Sequence, residues 1–392
     1  MKSEGINFMK TEHNKSRLVE IALGILAFFF TLACVILLFW ISGTVASADA
    51  RVDVQRLIAD PVPDYEMNVN NMISGALEGL IAIPKEYRLS EDITIAPKPD
   101  PYGYGVSRDP SATASVIADA ARLLDGQDMV WSPDTEIKPD SEVSWYLDDT
   151  ILSITWKQVI GSSVYTFSEV KIADASQFRR YLADDTFASP VQYRPTEMAK
   201  TVNAVVALSG DYYKFRNYGI VAYRRTLYRA EGAYLDTCFV DGNGDLNFVR
   251  RGEMTSREAM EQYIAENDIL FSLAFGPVLI ENGQNVVPSS YLVGEIRETY
   301  SRSIICQLGE LHYLLLTVNR EGIYNDVVTL NTAADVLVSM GVPTAYTLDG
   351  GQTASLIMFG NLINNVNYGS ERNISDIIFF ATAIPEEAGG TG

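Results

Sequence analysis

The densest chemical pattern in the chain is a carboxylate followed at once by two glycines, Asp349-Gly350-Gly351, inside the run Tyr346 to Ser355. A short apolar stretch, Ala345 to Leu348, ends at the acid, which places the carboxylate at a strand tip. Glycine has no Cβ, so backbone N–H groups at such a tip are open to a ligand. Asp349 is therefore a candidate acid, base or nucleophile; alternatively it closes the turn on its own backbone. Further along, Glu371-Arg372 returns a carboxylate and a guanidinium shortly before the apolar run Ile377 to Ala381. Together the two segments suit an anionic ligand held beside an acid or base.

The elements that must carry these residues are read from hydrophobic spacing. Strand-like runs recur at 151–156, 165–172, 204–208, 219–223, 237–240, 246–249, 271–275, 303–307, 313–318 and 345–348, and 377–381 closes the series. Helical spacing fits 175–182, 194–203, 256–267 and 330–340. The last of these has Asn331 or Thr332 as a cap and Gly341-Val342-Pro343 as a stop. The alternation argues for an α/β or α+β domain with a mixed sheet from about 150 to 385. Residues 47–149, broken by Pro61, Pro63, Pro97, Pro99, Pro101 and Pro110, read as a stalk or small subdomain with short helices at 67–83 and 114–124. A Gly- and Glu-rich tail, 386–392, reads as disordered.

Composition narrows the chemistry. The chain has 392 residues and a formal net charge of −20, which disfavours nonspecific contact with nucleic acid. Three cysteines, Cys34, Cys238 and Cys306, preclude a disulfide scaffold, and two histidines preclude a multi-histidine zinc site. Neither a metal nor a cofactor is expected. Cys238 and Cys306 lie in apolar runs and read as core, while His312 opens a strand and reads as structural. Asp241-Gly-Asn243-Gly-Asp245 starts like a calcium loop but has Leu246 at the sixth position, so a hairpin turn is expected.

Near the N-terminus, residues 21–48 carry no charge, more than the ~20 apolar residues that cross a bilayer. Lys2, Lys10, Lys15 and Arg17 precede this run and Asp49, Asp53 and Asp60 follow it. The basic flank predicts a cytoplasmic segment at 1–20, a single membrane anchor at 21–46 and an extracellular C-terminal domain. Ala46-Ser47-Ala48 offers the alternative of a cleaved signal peptide. An acidic outward-facing domain with few cysteines suits a bacterial cell surface.

Four ordered blocks resemble the phosphodiester glycosidase family: Ala207 to Tyr213 with 219–224, Phe275 to Ile280, Ser301 to Gln307 with Val318-Asn319-Arg320, and Tyr346 to Ser355 with Glu371-Arg372. The chain departs from the family pattern at Ser209, Asp211, Cys306, Gln352, Thr353, Asn373, Ile374 and Asp376. The resemblance covers about 151–384 and implies hydrolysis of a sugar-1-phosphodiester in a cell-surface glycan or exopolysaccharide. It implies Asp349 with a second carboxylate, Glu371 or Asp211, as the acid/base pair that glycoside cleavage uses. Gly350, Gly351 and Gly210 would present backbone to the phosphate, and Arg302, Arg320 and Arg372 would clamp it. The bland alternatives are a tight turn for the glycines, an ion pair with Arg372 for Glu371, and surface or structural ion pairs for the arginines. The altered blocks also fit a glycopolymer-binding or assembly protein that has lost turnover.

Overall fold

The computed structural model describes residues 95–292, 296–320 and 327–383. The expected anchor at 21–46, the helix at 67–83 and the tail at 386–392 lie outside the described residues. Among the described residues, no helix is long and apolar enough to cross a membrane.

The chain is dominated by strands. The first ten are β1 (Tyr104–Ser107), β2 (Val143–Leu147), β3 (Ile151–Ile160), β4 (Ser163–Ile172), β5 (Phe178–Leu182), β6 (Val206–Ser209), β7 (Gly219–Tyr223), β8 (Thr226–Glu231), β9 (Thr237–Asp241) and β10 (Leu246–Val249). They are followed by β11 (Ile269–Leu273), β12 (Val278–Glu281), β13 (Gln284–Asn285), β14 (Arg302–Gly309), β15 (His312–Asn319), β16 (Thr344–Leu348), β17 (Leu356–Met358), β18 (Asn361–Leu362) and β19 (Asp376–Phe380). The helices are α1 (Pro110–Asp119), α2 (Ala121–Leu124), α3 (Pro195–Thr201), α4 (Arg257–Glu266) and α5 (Leu330–Ser339).

Three sheets result. A nine-stranded sheet runs β1-β2-β3-β4-β15-β14-β16-β12-β13, and two five-stranded sheets run β10-β9-β11-β7-β8 and β18-β17-β6-β19-β5. Every pairing among the described residues is antiparallel, so the α+β class holds and the expected mixed sheet is antiparallel instead. Residues 104–147, inside the stretch read as stalk or small subdomain, supply β1 and β2 to the large sheet, and β2 pairs directly with β3.

The large sheet is covered on both faces, which is why β15 reads as an unbroken buried run rather than an alternation. One face, with Ile305, Leu315, Tyr346 and Leu348, packs against Leu208, Ile378, Leu273 and Val240 of the smaller sheets. The other, with Ile304, Leu314, Leu316 and Ala345, packs against Ala333, Ala334 and Leu337 of α5 and against Leu124 and Trp131.

Two local expectations fail for identifiable reasons. The segment 175–182 is a 3-10 turn at Ala175–Gln177 followed by β5, whose residues alternate in burial beside β19. Pairing with a neighbouring strand outweighs its helix-like spacing. The cap of α5 is Thr329, whose side chain accepts from Thr332 N at 3.1 Å, two or three residues ahead of the expected Asn331 or Thr332.

Candidate active site

Strand β16 ends at Leu348, and the backbone then turns sharply through Asp349, Gly350 and Gly351. Gly351 has φ +66°, a conformation glycine adopts without strain. Gly350 lies so close to the Ser301 carbonyl that a Cβ would collide with it. Asp349 N–H donates to the Gly210 carbonyl at 3.3 Å, which ties the tip of β16 to the end of β6.

The two glycine N–H groups do not face a ligand. Gly350 N–H donates to Asp349 Oδ1 at 3.0 Å, and Gly351 N–H donates to the Ser301 carbonyl at 2.8 Å. Gly210 is likewise structural: its N–H donates to the Asp376 carbonyl at 3.0 Å, and a Cβ there would collide with the Asp376 carboxylate. The expectation that Gly350, Gly351 and Gly210 cradle phosphate is corrected accordingly.

Asp349 itself is half-buried. Burial, the largest influence, pushes its carboxyl up to about 6, against the downward pull of the Thr353 hydroxyl, Arg216, the Gly350 N–H and Arg372. It is thus poised to change protonation near neutrality.

The other expected carboxylates are engaged. Asp211 is a member of a fully buried triad in which Arg180 Nη2 lies 2.9 Å from Asp211 Oδ1 and 2.8 Å from Asp376 Oδ2. Asp211 also accepts from Tyr213 N–H at 2.7 Å and Ala274 N–H at 2.8 Å, and its side chain is 0% exposed. It cannot meet a substrate; its role is to pin the loop after β6 to the end of β11. Glu371 accepts from Thr196 N–H at 3.0 Å and from the Thr196 hydroxyl at 2.7 Å. Both of its oxygens are therefore held at the N-terminal turn of α3, and among the described residues it makes no ion pair with Arg372.

The arginines divide. Arg302 is buried on the α5 face of the large sheet, with Nε donating to the Val328 carbonyl at 3.2 Å and Nη2 to the Glu298 carbonyl at 2.7 Å. It braces the chain before β14 and α5 and is not a phosphate clamp. Arg320 stands exposed just after β15, and among the described residues no hydrogen bond or ion pair joins it to Asp349. Arg372 is exposed, lies 5.8 Å from the Phe215 ring centroid, and acts electrostatically on Asp349.

The cation most clearly available for a ligand was not singled out from the sequence. Arg216 lies over the rings of Phe275 at 4.8 Å, Tyr212 at 5.2 Å and Tyr218 at 5.8 Å. Its Nη1 and Nη2 are buried and have no hydrogen-bond partner among the described residues, and it pulls on the Asp349 carboxylate. A guanidinium held by ring faces, with its donor edge unused, is ready for a bidentate anion. The loop that carries it is fixed by Arg229 of β8, whose Nε donates to the Gly219 carbonyl at 3.0 Å and whose Nη1 donates to those of Tyr213 at 2.8 Å and Arg216. The visible signal was the aromatic spacing in Tyr212-Tyr-Lys-Phe215-Arg216-Asn-Tyr218.

The remaining residues follow their bland readings. His312 Nε2 lies 2.9 Å from Glu169 Oε1, and Glu169 also accepts from Val130 and Trp131 N–H, a buried brace far along the sheet. Cys238 and Cys306 are fully buried, and burial pushes both thiols up. Asp241 to Asp245 forms the β9–β10 hairpin, with Gly244 N–H donating to the Asp241 carbonyl at 2.9 Å.

With this geometry in place, comparison with known proteins adds the following. The sequence profile of the phosphodiester glycosidase family matches residues 202–381. No curated protein matches the chain. Among solved structures, the catalytic domain of zebrafish N-acetylglucosamine-1-phosphodiester alpha-N-acetylglucosaminidase, auto-inhibited by its pro-peptide, is 17% identical. The match covers 66% of this chain and 92% of that one, with a TM-score of 0.49. A hypothetical protein from Synechocystis is 15% identical over 63% of this chain and 64% of its own, with a TM-score of 0.43.

Proposed function

We propose that this chain, whose residues 202–381 match the phosphodiester glycosidase family, hydrolyses a sugar-1-phosphodiester at the glycosidic C1–O bond, with Asp349 as the acid/base group and Arg216 as the principal phosphate clamp. The observation that carries this reading is the pairing of an unpartnered, aromatic-held guanidinium with a half-buried carboxyl that titrates near 6.

One free carboxylate suffices for this chemistry. The departing group is a phosphate monoester, whose second pKa of about 6 means it leaves without needing a proton. Asp349, ionised at neutral pH, takes a proton from water as the water oxygen bonds to C1 and the C1–O bond to phosphate breaks. The bonding electrons stay on the phosphate oxygen, where Arg216 and the exposed Arg372 meet the added charge. Glu371 and Asp211, engaged elsewhere, take no part.

The decisive test incubates wild type and Asp349→Ala with a panel of sugar-1-phosphodiesters and quantifies free sugar. Release by the wild type that is lost in the variant supports the reading; no release from any diester by folded protein sinks it. The rival, a glycopolymer-binding protein without turnover, is favoured by the engagement of Glu371 and by the altered residues Ser209 and Gln352. It predicts saturable binding with no product.

We also propose that residues 21–46, within the uncharged run 21–48, form a membrane anchor that holds the domain outside the cell, on the strength of the run's length and basic flank. Resistance to alkaline extraction, together with protease access to the C-terminal domain in intact cells, tests that placement.

A further inference from the structure

Behind the loop that carries Arg216 lies a charge imbalance. Arg180 of β5 faces two carboxylates, Asp211 and Asp376, and the side chains of all three are 0% exposed. Its Nε donates to Asp376 Oδ2 at 3.0 Å and its Nη1 to the Ser272 carbonyl, while Nη2 sits between the two acids. Asp376 Oδ2 also accepts from Asp211 N–H at 3.1 Å, whereas Oδ1 meets only the Ser375 hydroxyl, at 3.2 Å, among the described residues. One guanidinium cannot neutralise two buried carboxylates, and an uncompensated charge away from water is costly. A proton on Asp376 Oδ1, donated to Ser375 Oγ, removes the excess. Both acids stand where the chain departs from the family pattern, so the cluster is this chain's own.

We infer that Asp376 is a proton-operated control on anion binding at Arg216: protonated, it leaves the cluster neutral, and ionised, it adds a buried negative charge that weakens the site. The inference rests on Arg216 as the phosphate clamp and specifies how pH regulates that site. Gly210 joins the two regions, its N–H donating to the Asp376 carbonyl at 3.0 Å and its carbonyl accepting from Asp349 N–H at 3.3 Å. Asp211 Oδ1 in turn holds Tyr213 N–H at 2.7 Å, at the start of the Arg216 loop. A buried charge is screened less than a surface one, so it is felt by a ligand at that loop. The other groups around Asp376 do not supply the missing cation. Tyr213 puts its ring under Arg180 at 5.2 Å, and Arg229 of β8 spends Nη1 on the carbonyls of Tyr213 and Arg216. Strands β6 and β11 carry no titratable residue, and Arg179 and Tyr181 alternate to the other face of β5. Helix α3, with Glu197 and Lys200, packs against Ile377 and Phe379 on the opposite face of β19. Burial, the largest influence, accordingly pushes the Asp376 carboxyl up to about 7, with Asp211 adding to it and Arg180 opposing. Linkage is reciprocal, so a bound anion must strengthen the hold of Asp376 on its proton by the same factor.

The test titrates dimethyl phosphate, whose single charge does not change near neutrality, into the full-length chain by calorimetry. Asp349→Asn serves as the background, because it removes the acid that titrates near 6. In that variant the affinity is expected to fall about fivefold from pH 6 to pH 8. Binding at pH 7 should take up protons, read from buffers of different ionisation enthalpy. Adding Asp376→Asn, the isostere of the protonated acid, should keep the pH 6 affinity and abolish both the fall and the uptake. Binding indifferent to pH in Asp349→Asn, or a fall that persists in the double variant, overturns the inference and leaves the clamp standing. No binding at any pH overturns the clamp and the inference together. If a thermal melt shows the double variant unfolded, proton uptake by Asp349→Asn at pH 7 decides: its presence supports the control and its absence overturns it.

Discussion

At Asp349 two influences oppose each other, and their balance sets measurable behaviour. Burial raises its carboxyl to about 6, while Arg216 and Arg372 pull downward. If the ionised form is the base, kcat/KM should rise with pH through about 6 and then level. Replacing Arg216 by Gln removes one downward pull, so the rise should move to higher pH. Loss of the charged contact, about 1.5–3 kcal/mol, should also lower kcat/KM by roughly 10- to 150-fold. Asp349→Asn should lower turnover by about 10²–10⁴-fold, the usual contribution of a positioned base. The same variant reads out stability with a defined sign. A carboxyl whose pKa is raised on folding costs nothing below its unfolded pKa of 3.8, and its cost grows to completion as pH rises past about 6. Asp349→Asn should therefore melt higher than wild type at pH 8 and equally at pH 3.5, as calorimetry would show.

At the scale of elements, the carboxylates that looked catalytic hold the frame instead. Asp211 and Asp376 share Arg180 where no water reaches, and Asp211 also binds the backbone of the loop leading to Arg216. Removing one member strands a buried charge, so Asp211→Ala should cost about 3–5 kcal/mol, seen as a lower denaturant midpoint. Glu371 is a milder case. It anchors Thr196 in the first turn of α3, and Glu371→Ala should cost about 1 kcal/mol, comparable to a lost helix cap, with kcat retained. If instead its kcat falls a hundredfold at unchanged stability, Glu371 is catalytic and the single-carboxylate mechanism is wrong. Neither role was legible in sequence, where Asp211 and Glu371 are simply acids within the family blocks. Their partners, Arg180 and Thr196, come from 31 and 175 positions away.

For the whole molecule, the part of 47–149 that supplies strands to the large sheet matters most. Strands β1 and β2 extend the large sheet beyond β3, and Leu124, Trp131 and Val143 pack in the core on its α5 face. A fragment beginning at Ala82, where the compact unit starts, should give a soluble protein with one cooperative melt. A fragment beginning at Ile151 should aggregate, because it exposes the long apolar edge of β3; size-exclusion chromatography separates the two outcomes.

The sequence by itself determined the elements whose pattern is local. Strands such as β7, β10 and β15 and helices α4 and α5 follow from spacing, with the glycine stop after α5, and the Asp349 turn follows from its own three residues. It also determined the acidic balance and the family blocks, because these are properties of residue identity and order. The tertiary structure decided which of the acids and arginines are free. Whether a carboxylate can act depends on who occupies its oxygens, and those partners arrive from other elements: Arg180 from β5, Thr196 from α3. The same holds in reverse for Arg216, an unremarkable cation in sequence that becomes the open donor of the site only when Phe275, Tyr212 and Tyr218 close around it and Arg229 fixes its loop.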